Sequence, residues 1–224
     1  MDKIQLPFQD RTEAGRLLAA ELASRKLPDN TIVLALPRGG LPVGVEVANA
    51  LNAPLDVIVV RKLGVPWQRE LAMGAIAGGT TVLDHQLIYS LGIVETDVAG
   101  IIAREAKEAG RREKLYRSGR PPLDLHDRTV LIVDDGLATG STMLAASREA
   151  RAMHPKKLMI AVPVGSSSAC SKLRSEVDEL VCLATPEPFA AVGEWYLTFR
   201  QVTDDEVCEI LNKANVPAGA GTRS

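Results

Sequence analysis

Thr129-Val-Leu-Ile-Val-Asp-Asp-Gly-Leu-Ala-Thr-Gly-Ser-Thr142 is the stretch from which the rest of the chain can be read. Thr129–Val133 is a short β-branched and apolar run, the form a strand takes when a parallel sheet buries both its faces. Asp134 and Asp135 fall where that strand ends. Gly136, Ala138, Thr139, Gly140, Ser141 and Thr142 follow, and from Met143 to Met153 the pattern turns helical. A loop of small and hydroxyl residues opening a helix offers unpaired backbone N–H groups and a positive dipole end, which suit a phosphate. Adjacent carboxylates repel phosphate, but they accept hydrogen bonds from sugar hydroxyls or hold Mg²⁺ through water. Phosphate, vicinal diol and divalent cation together describe a ribose 5-phosphate. A buried strand ending in an N-capping Asp would explain one acid and leave the other unaccounted for.

On the N-terminal side, Thr31–Leu36 reads as another buried strand, followed at once by Pro37-Arg38-Gly39-Gly40 and a helix over Leu41–Leu51. Two glycines after a buried strand let the backbone approach a ligand closely. Alone, this sequence reads more readily as a plain tight turn. Leu55–Val60 reads as a third apolar strand with Arg61-Lys62 at its tip, cations that are either solvated or placed to meet an anion. Gly64–Gly74 shows no helical stripe and reads as a loop carrying Trp67, Arg69 and Glu70. Gly78-Gly79 marks a hairpin turn. Strands alternating with helices predict an α/β fold with a doubly wound, mostly parallel sheet, which binds ligands at the carboxyl ends of its strands.

Residues 129–142 resemble the PRPP-binding motif of the type I phosphoribosyltransferases: apolar strand, two acids, three variable residues, then a Thr-Gly-x-Thr loop. The resemblance implies that Asp134 and Asp135 bind the ribose hydroxyls and, through water, Mg²⁺. It gives the 5-phosphate to Ala138, Thr139, Gly140, Ser141 and Thr142. Beside this motif, Pro37–Gly40 resembles the family's pyrophosphate loop, implying contacts from Arg38, Gly39 and Gly40. Arg61-Lys62 resembles the pair that opens the mobile loop of orotate-type enzymes, and residues 64–74 match the catalytic lid in position. The implied reaction is Mg²⁺-dependent transfer of a phosphoribosyl group from PRPP to a nucleobase or similar acceptor, with pyrophosphate released and Arg38 and Lys62 stabilising it. Where the 6-oxopurine enzymes carry an Asp, this chain has Ala138. Glu70 therefore becomes the candidate acid–base group, although it reads equally as a solvated partner of Arg69. A non-catalytic PRPP or nucleotide sensor and a pyrophosphate-end hydrolase are the competing functions.

Elsewhere the chain is less particular. With 224 residues, 46% hydrophobic and 24% charged, it has the composition of an ordinary globular protein. A net charge of −2 gives no reason to expect nucleic acid or a membrane as partner. No signal peptide or apolar span is visible, so a cytoplasmic protein is expected. Cys170, Cys182 and Cys208, odd in number and widely spaced, argue against a disulfide framework or a zinc site. Asp10-Arg-Thr-Glu13 has the pattern of a capping box opening a helix. Helices are also expected over 84–91, 95–117, 169–176 and 204–214, with strands over 158–164 and 177–184. The basic end of the 95–117 helix is interleaved with Glu105, Glu108 and Glu113, which marks a solvated face. Phe189, Trp195, Tyr196 and Phe199 either close the core or form a stacking surface for a planar base. The expected organisation is one domain over residues 1–216, its hood drawn from N-terminal segments and 185–216, a disordered tail over 217–224, and a homodimer as the assembly.

Overall fold

The computed structural model describes residues 4–121 and 123–214; the expected tail lies outside them. Helix α1 (Arg11–Ala23) opens at Asp10, whose side chain accepts from the Glu13 N–H at 2.9 Å, while the Glu13 carboxylate turns back to the Gln9 N–H. This is the anticipated capping box, displaced by one residue.

Five parallel strands form the central sheet: β1 (Thr31–Ala35), β2 (Leu55–Val57), β6 (Thr129–Val133), β7 (Lys157–Val164) and β8 (Glu179–Ala184), in the order β2-β1-β6-β7-β8. Every residue of β1 and β6 is buried, as their unbroken apolar runs require. Successive side chains point to opposite faces. Val33 and Ala35 of β1 with Leu131 and Val133 of β6 pack against α1, α2 (Gly40–Leu51) and α7 (Asp204–Ala214), through Leu18, Val47 and Leu211 among others. Ile32, Leu34, Val130 and Ile132 face the other way, onto α5 (Ser141–Ala152) and α6 (Ser167–Leu173), through Met143, Leu144 and Leu173. The sheet is thus covered on both sides, as doubly wound folds are.

The expected strand over 55–60 divides in two. Pairing with β1 ends at Ala35↔Val57, because the β1 chain then turns away into Pro37, which has no N–H to extend a ladder. The chain leaves the sheet and enters a separate antiparallel meander of β3 (Val60–Val65), β4 (Gln68–Ala77) and β5 (Thr80–Leu83). Arg61 and Lys62 therefore lie inside β3 and not at the tip of a buried strand. Residues 64–74, expected as a loop, are instead most of a hairpin turning at Pro66-Trp67. Register shifts on both sides of Gly64 break the period-two pattern that would have announced it. The turn at Gly78-Gly79 is present as expected.

Leu63, Val65 and Ile76 of the meander pack with Val98 and Ile101 of α4 (Glu95–Tyr116) and with partly buried Leu87 and Ile88 of α3 (His85–Ser90). Ala75 and Ala77, with Val60 and Val82, lie against Ala145 of α5. Among the described residues no helix is long and apolar enough to cross a membrane.

Candidate active site

At the carboxyl end of β6 the two acids occupy different surroundings. Asp134 is half-buried, and its Oδ1 accepts from the Asp135 N–H at 2.8 Å. Asp135 is buried, 9% exposed, and so is not an open carboxylate at the strand tip. Its Oδ2 accepts from Arg11 Nε at 2.7 Å. Arg11 in turn donates through Nη1 to the Arg200 carbonyl at 2.8 Å and lies 3.8 Å from the centre of the Phe199 ring. Tyr196 donates its hydroxyl proton to the Asp135 carbonyl at 2.5 Å and packs on Phe8 and Phe199. Burial, then the neighbouring charge of Asp135, pushes the Asp134 carboxyl well above the usual carboxylate range. Burial also raises Asp135, with Arg11 opposing it.

Gly39 and Gly40 lie directly on this pair. A Cβ on Gly39 would stand 2.1 Å from Asp135 Oδ2, and one on Gly40 would stand 2.8 Å from the Val133 carbonyl oxygen. Only glycine allows this approach, which explains the Gly-Gly after β1. The turn is fixed further by the Leu36 N–H, which donates to the Val133 carbonyl at 2.9 Å; the Pro37–Arg38 peptide is cis.

Residues 136–140 form the loop between β6 and α5. Gly140, at φ +76°, is the residue before α5, a conformation glycine adopts without a Cβ penalty. The loop is tied to the chain after β7: the Leu137 N–H donates to Val164, the Ser166 N–H donates to Leu137, and Ser166 Oγ donates to the Ala138 carbonyl at 2.7 Å. Ala138 and Thr139 are exposed, and Thr139 Oγ1 donates to Ser141 Oγ across 3.4 Å. The first-turn N–H groups of a helix have no intrahelical acceptor, and those of α5 open onto this loop.

The structure thus brings Asp134, Asp135, Ala138, Thr139, Gly140, Ser141 and Thr142 to one sheet edge with Gly39 and Gly40. The anticipated cations stand differently. Arg38 faces α7, its Nη1 3.5 Å from Asp204 Oδ1, while Asp204 also accepts from the Tyr116 hydroxyl at 2.6 Å. That hydrogen bond, ahead of the charges of Arg112, Arg38 and Arg111, outweighs burial and holds the Asp204 carboxyl below its ordinary value. Arg61 places Nε and Nη2 on Glu105 Oε2 of α4, at 3.0 and 2.7 Å. Lys62 is exposed on β3. The side chain of Glu70 lies outside the described part of the chain.

Two participants escaped the sequence, Arg11 and Asp204; Tyr196 was among the aromatics expected to close the core or stack on a base, but its hydrogen bond to the Asp135 carbonyl was not foreseen. Arg11 left one trace, since a cation in the first turn opposes the helix dipole and so calls for another partner. Among the described residues no cluster of three or more His, Cys, Asp or Glu could enclose a metal. The donor set at the acids nonetheless fits Mg²⁺, which keeps several waters and is bound through one or two carboxylates together with substrate phosphates.

The chain matches the model of the phosphoribosyl transferase domain family over residues 10–194 and belongs to that family. Proteins of two Mycobacterium tuberculosis strains, both provisionally designated phosphoribosyl transferases, are 45% identical over 209 residues. The match covers 93% of this chain and 47% of theirs, so the chain spans about half the length of the curated relatives it matches. The crystal structure of TT1426 from Thermus thermophilus is similar at a TM-score of 0.77 and 41% identity, covering 92% of this chain and 98% of that one. AQ2163 from Aquifex aeolicus shares the fold, with a TM-score of 0.50 at 14% identity over 77% of this chain and 73% of its own.

Proposed function

We propose that the protein transfers the phosphoribosyl group of PRPP to a nucleobase or similar acceptor and releases pyrophosphate. The observation that carries this reading is the meeting of the two acids, the loop that opens α5 and the Gly39-Gly40 turn at one sheet edge. In this reading Asp134 and Asp135 accept from the ribose 2- and 3-hydroxyls, with Asp134 the more accessible, and residues 138–142 surround the 5-phosphate. Gly39 and Gly40 allow pyrophosphate to approach the main chain, and Arg38 exchanges Asp204 for it. Lys62 adds positive charge as the C–O bond lengthens and negative charge collects on the leaving group. Mg²⁺, held by the acids through water, supplies further neutralisation of that charge when bound. Ala138 cannot exchange a proton with a base, so Glu70 is the proposed acid–base group.

The test is to incubate the protein with PRPP, Mg²⁺ and a panel of nucleobases, following pyrophosphate by phosphorus NMR. Release that needs one base supports transfer, and release without any base supports hydrolysis. Binding without release supports a PRPP or nucleotide sensor. One observation favours that second reading: Arg38 and Arg61 are both engaged by carboxylates of the protein itself.

A further inference from the structure

Cys170 on α6 and Cys182 on β8 meet over Gly165. A Cβ built on that glycine would stand 3.0 Å from Cys170 Sγ and 3.4 Å from Cys182 Sγ, so the missing side chain leaves one small volume to both sulfurs. The two sulfurs therefore border the same space above Gly165. The Cys182 thiol donates to the Ala184 carbonyl, 3.2 Å from its sulfur. Cys208 packs on the opposite face of the sheet, where its thiol faces the Leu115 carbonyl.

The pair is not sealed. Cys170 is buried, but Cys182 is half-buried and forms part of the wall of a recess of about 630 Å³ along β8, which Arg25, Arg174, Glu21, Asp178 and Glu179 also line. The neighbouring Cys182 thiol brings the Cys170 thiol down to about 7, against burial and with help from the Arg174 charge. A nucleophilic sulfur, a second sulfur beside it and an opening to solvent are the requirements of oxidative pairing.

We propose that Cys170 and Cys182 are an oxidative modification site, at which a small peroxide converts them into a disulfide tying α6 to β8. Cys170 sulfur attacks one oxygen of hydrogen peroxide, the O–O bond breaks, and the departing hydroxide leaves as water with the thiol proton. The product is a sulfenic acid. Cys182 sulfur then attacks the sulfenic sulfur, the S–O bond breaks, and a second water leaves with the Cys182 proton as the S–S bond forms. Two thiols lose two electrons and the peroxide becomes two waters.

The site lies beneath the loop over 136–140. Gly165 pairs with Leu137, and Ser166 holds the Ala138 carbonyl. A Cβ on Gly140 would stand 3.2 Å from Leu173 Cδ1 and 3.4 Å from Ala169 Cβ, so α6 is the wall behind that loop. A disulfide needs its sulfurs about 2.05 Å apart, closer than any two non-bonded sulfurs stand. Forming it draws α6 toward β8 and carries Ala169 and Leu173 away from Gly140. Weaker phosphate binding follows; this consequence rests on the proposed function.

The experiment treats the full chain with hydrogen peroxide, digests it with trypsin, which cuts at Lys172 and Arg174 between the two cysteines, and identifies linked peptides by mass. The expected product is a Cys170–Cys182 pair lacking two hydrogens and restored by dithiothreitol, with Cys208 still open to alkylation. Cys182→Ser abolishes the link and Cys208→Ser retains it. A link through Cys208, or sulfinic acid at Cys170 without any link, overturns the proposal. Calorimetry then compares PRPP affinity in the oxidised and reduced chains, with a loss of about tenfold expected, a usual size for coupling between sites. A link without loss of affinity overturns the coupling to the loop. Absence of PRPP binding in the reduced chain overturns the proposed function while leaving the thiol chemistry standing.

Discussion

Arg11 Nε and Asp135 Oδ2 lie 2.7 Å apart across 124 residues of sequence, in a buried ion pair that joins the first turn of α1 to the end of β6. Removing one member of such a pair leaves a charge without its partner in a poorly solvated place. Arg11→Met is therefore expected to lower unfolding free energy by about 3 kcal/mol, measured by urea denaturation. A loss below about 1 kcal/mol would show that water replaces the guanidinium there.

The same geometry separates the two acids. Asp134→Asn removes a carboxylate whose charge its surroundings disfavour, so stability is expected to hold or rise while PRPP affinity falls. Asp135→Asn is expected to lower both, since Arg11 loses its counter-charge. Equal stabilities of the two variants, measured by thermal unfolding beside calorimetric titration with PRPP, would show the acids to be equivalent.

Gly39→Ala forces a methyl group into the place of Asp135 Oδ2. The expected cost is about 1–3 kcal/mol, as for overpacked interiors, together with loss of PRPP binding. Alanine with wild-type affinity at this position would place the ligand elsewhere.

Glu105 offers a test by pH. Burial acts to raise its carboxyl, but hydrogen bonds from Arg61 and then Arg104 outweigh it, leaving the folded value below the ordinary 4.5. A depressed acid contributes stability that is present above its unfolded value and lost as pH falls through the folded one. Glu105→Gln is thus expected to cost about 1 kcal/mol near neutrality, with the gap to wild type closing below pH ~4.5. A gap independent of pH would mean that the charge of Glu105 contributes nothing.

Arg38→Ala and Lys62→Ala are expected to lower turnover more than PRPP affinity, because negative charge on pyrophosphate grows only as it departs. Equal losses in both would make the two cations anchors of the substrate. Asp204→Asn, which relieves Arg38 of its present partner, is expected to tighten PRPP binding at low salt and less so at high salt.

What the sequence discloses here follows from the range of the interactions involved. β6 and its two acids were legible because burial on both faces demands an unbroken apolar run, and because Gly140 and the hydroxyl loop mark the next helix. The capping box at Asp10 was legible for the same local reason. The break after Val57 was not: it depends on where β1 runs out, at Pro37, far earlier in the chain and adjacent only after folding. The meander was hidden by the shifted register at Gly64. Arg11, Asp204 and the hydrogen bond of Tyr196 were hidden because each meets its partner across the whole fold, and no local spacing encodes such a meeting.

The contact of Ala75 and Ala77 with Ala145 bears on how this fold can be recombined. Methyl groups on both sides leave no slack, so the ribbon over 60–83 and the helix that follows the loop over 136–140 are cut to each other's shape. A relative with a larger residue in the ribbon needs a compensating change on the helix. Exchanging residues 60–83 between relatives therefore calls for moving position 145 with them, and a library that shuffles the two independently will be depleted of folded members wherever the side chains do not match.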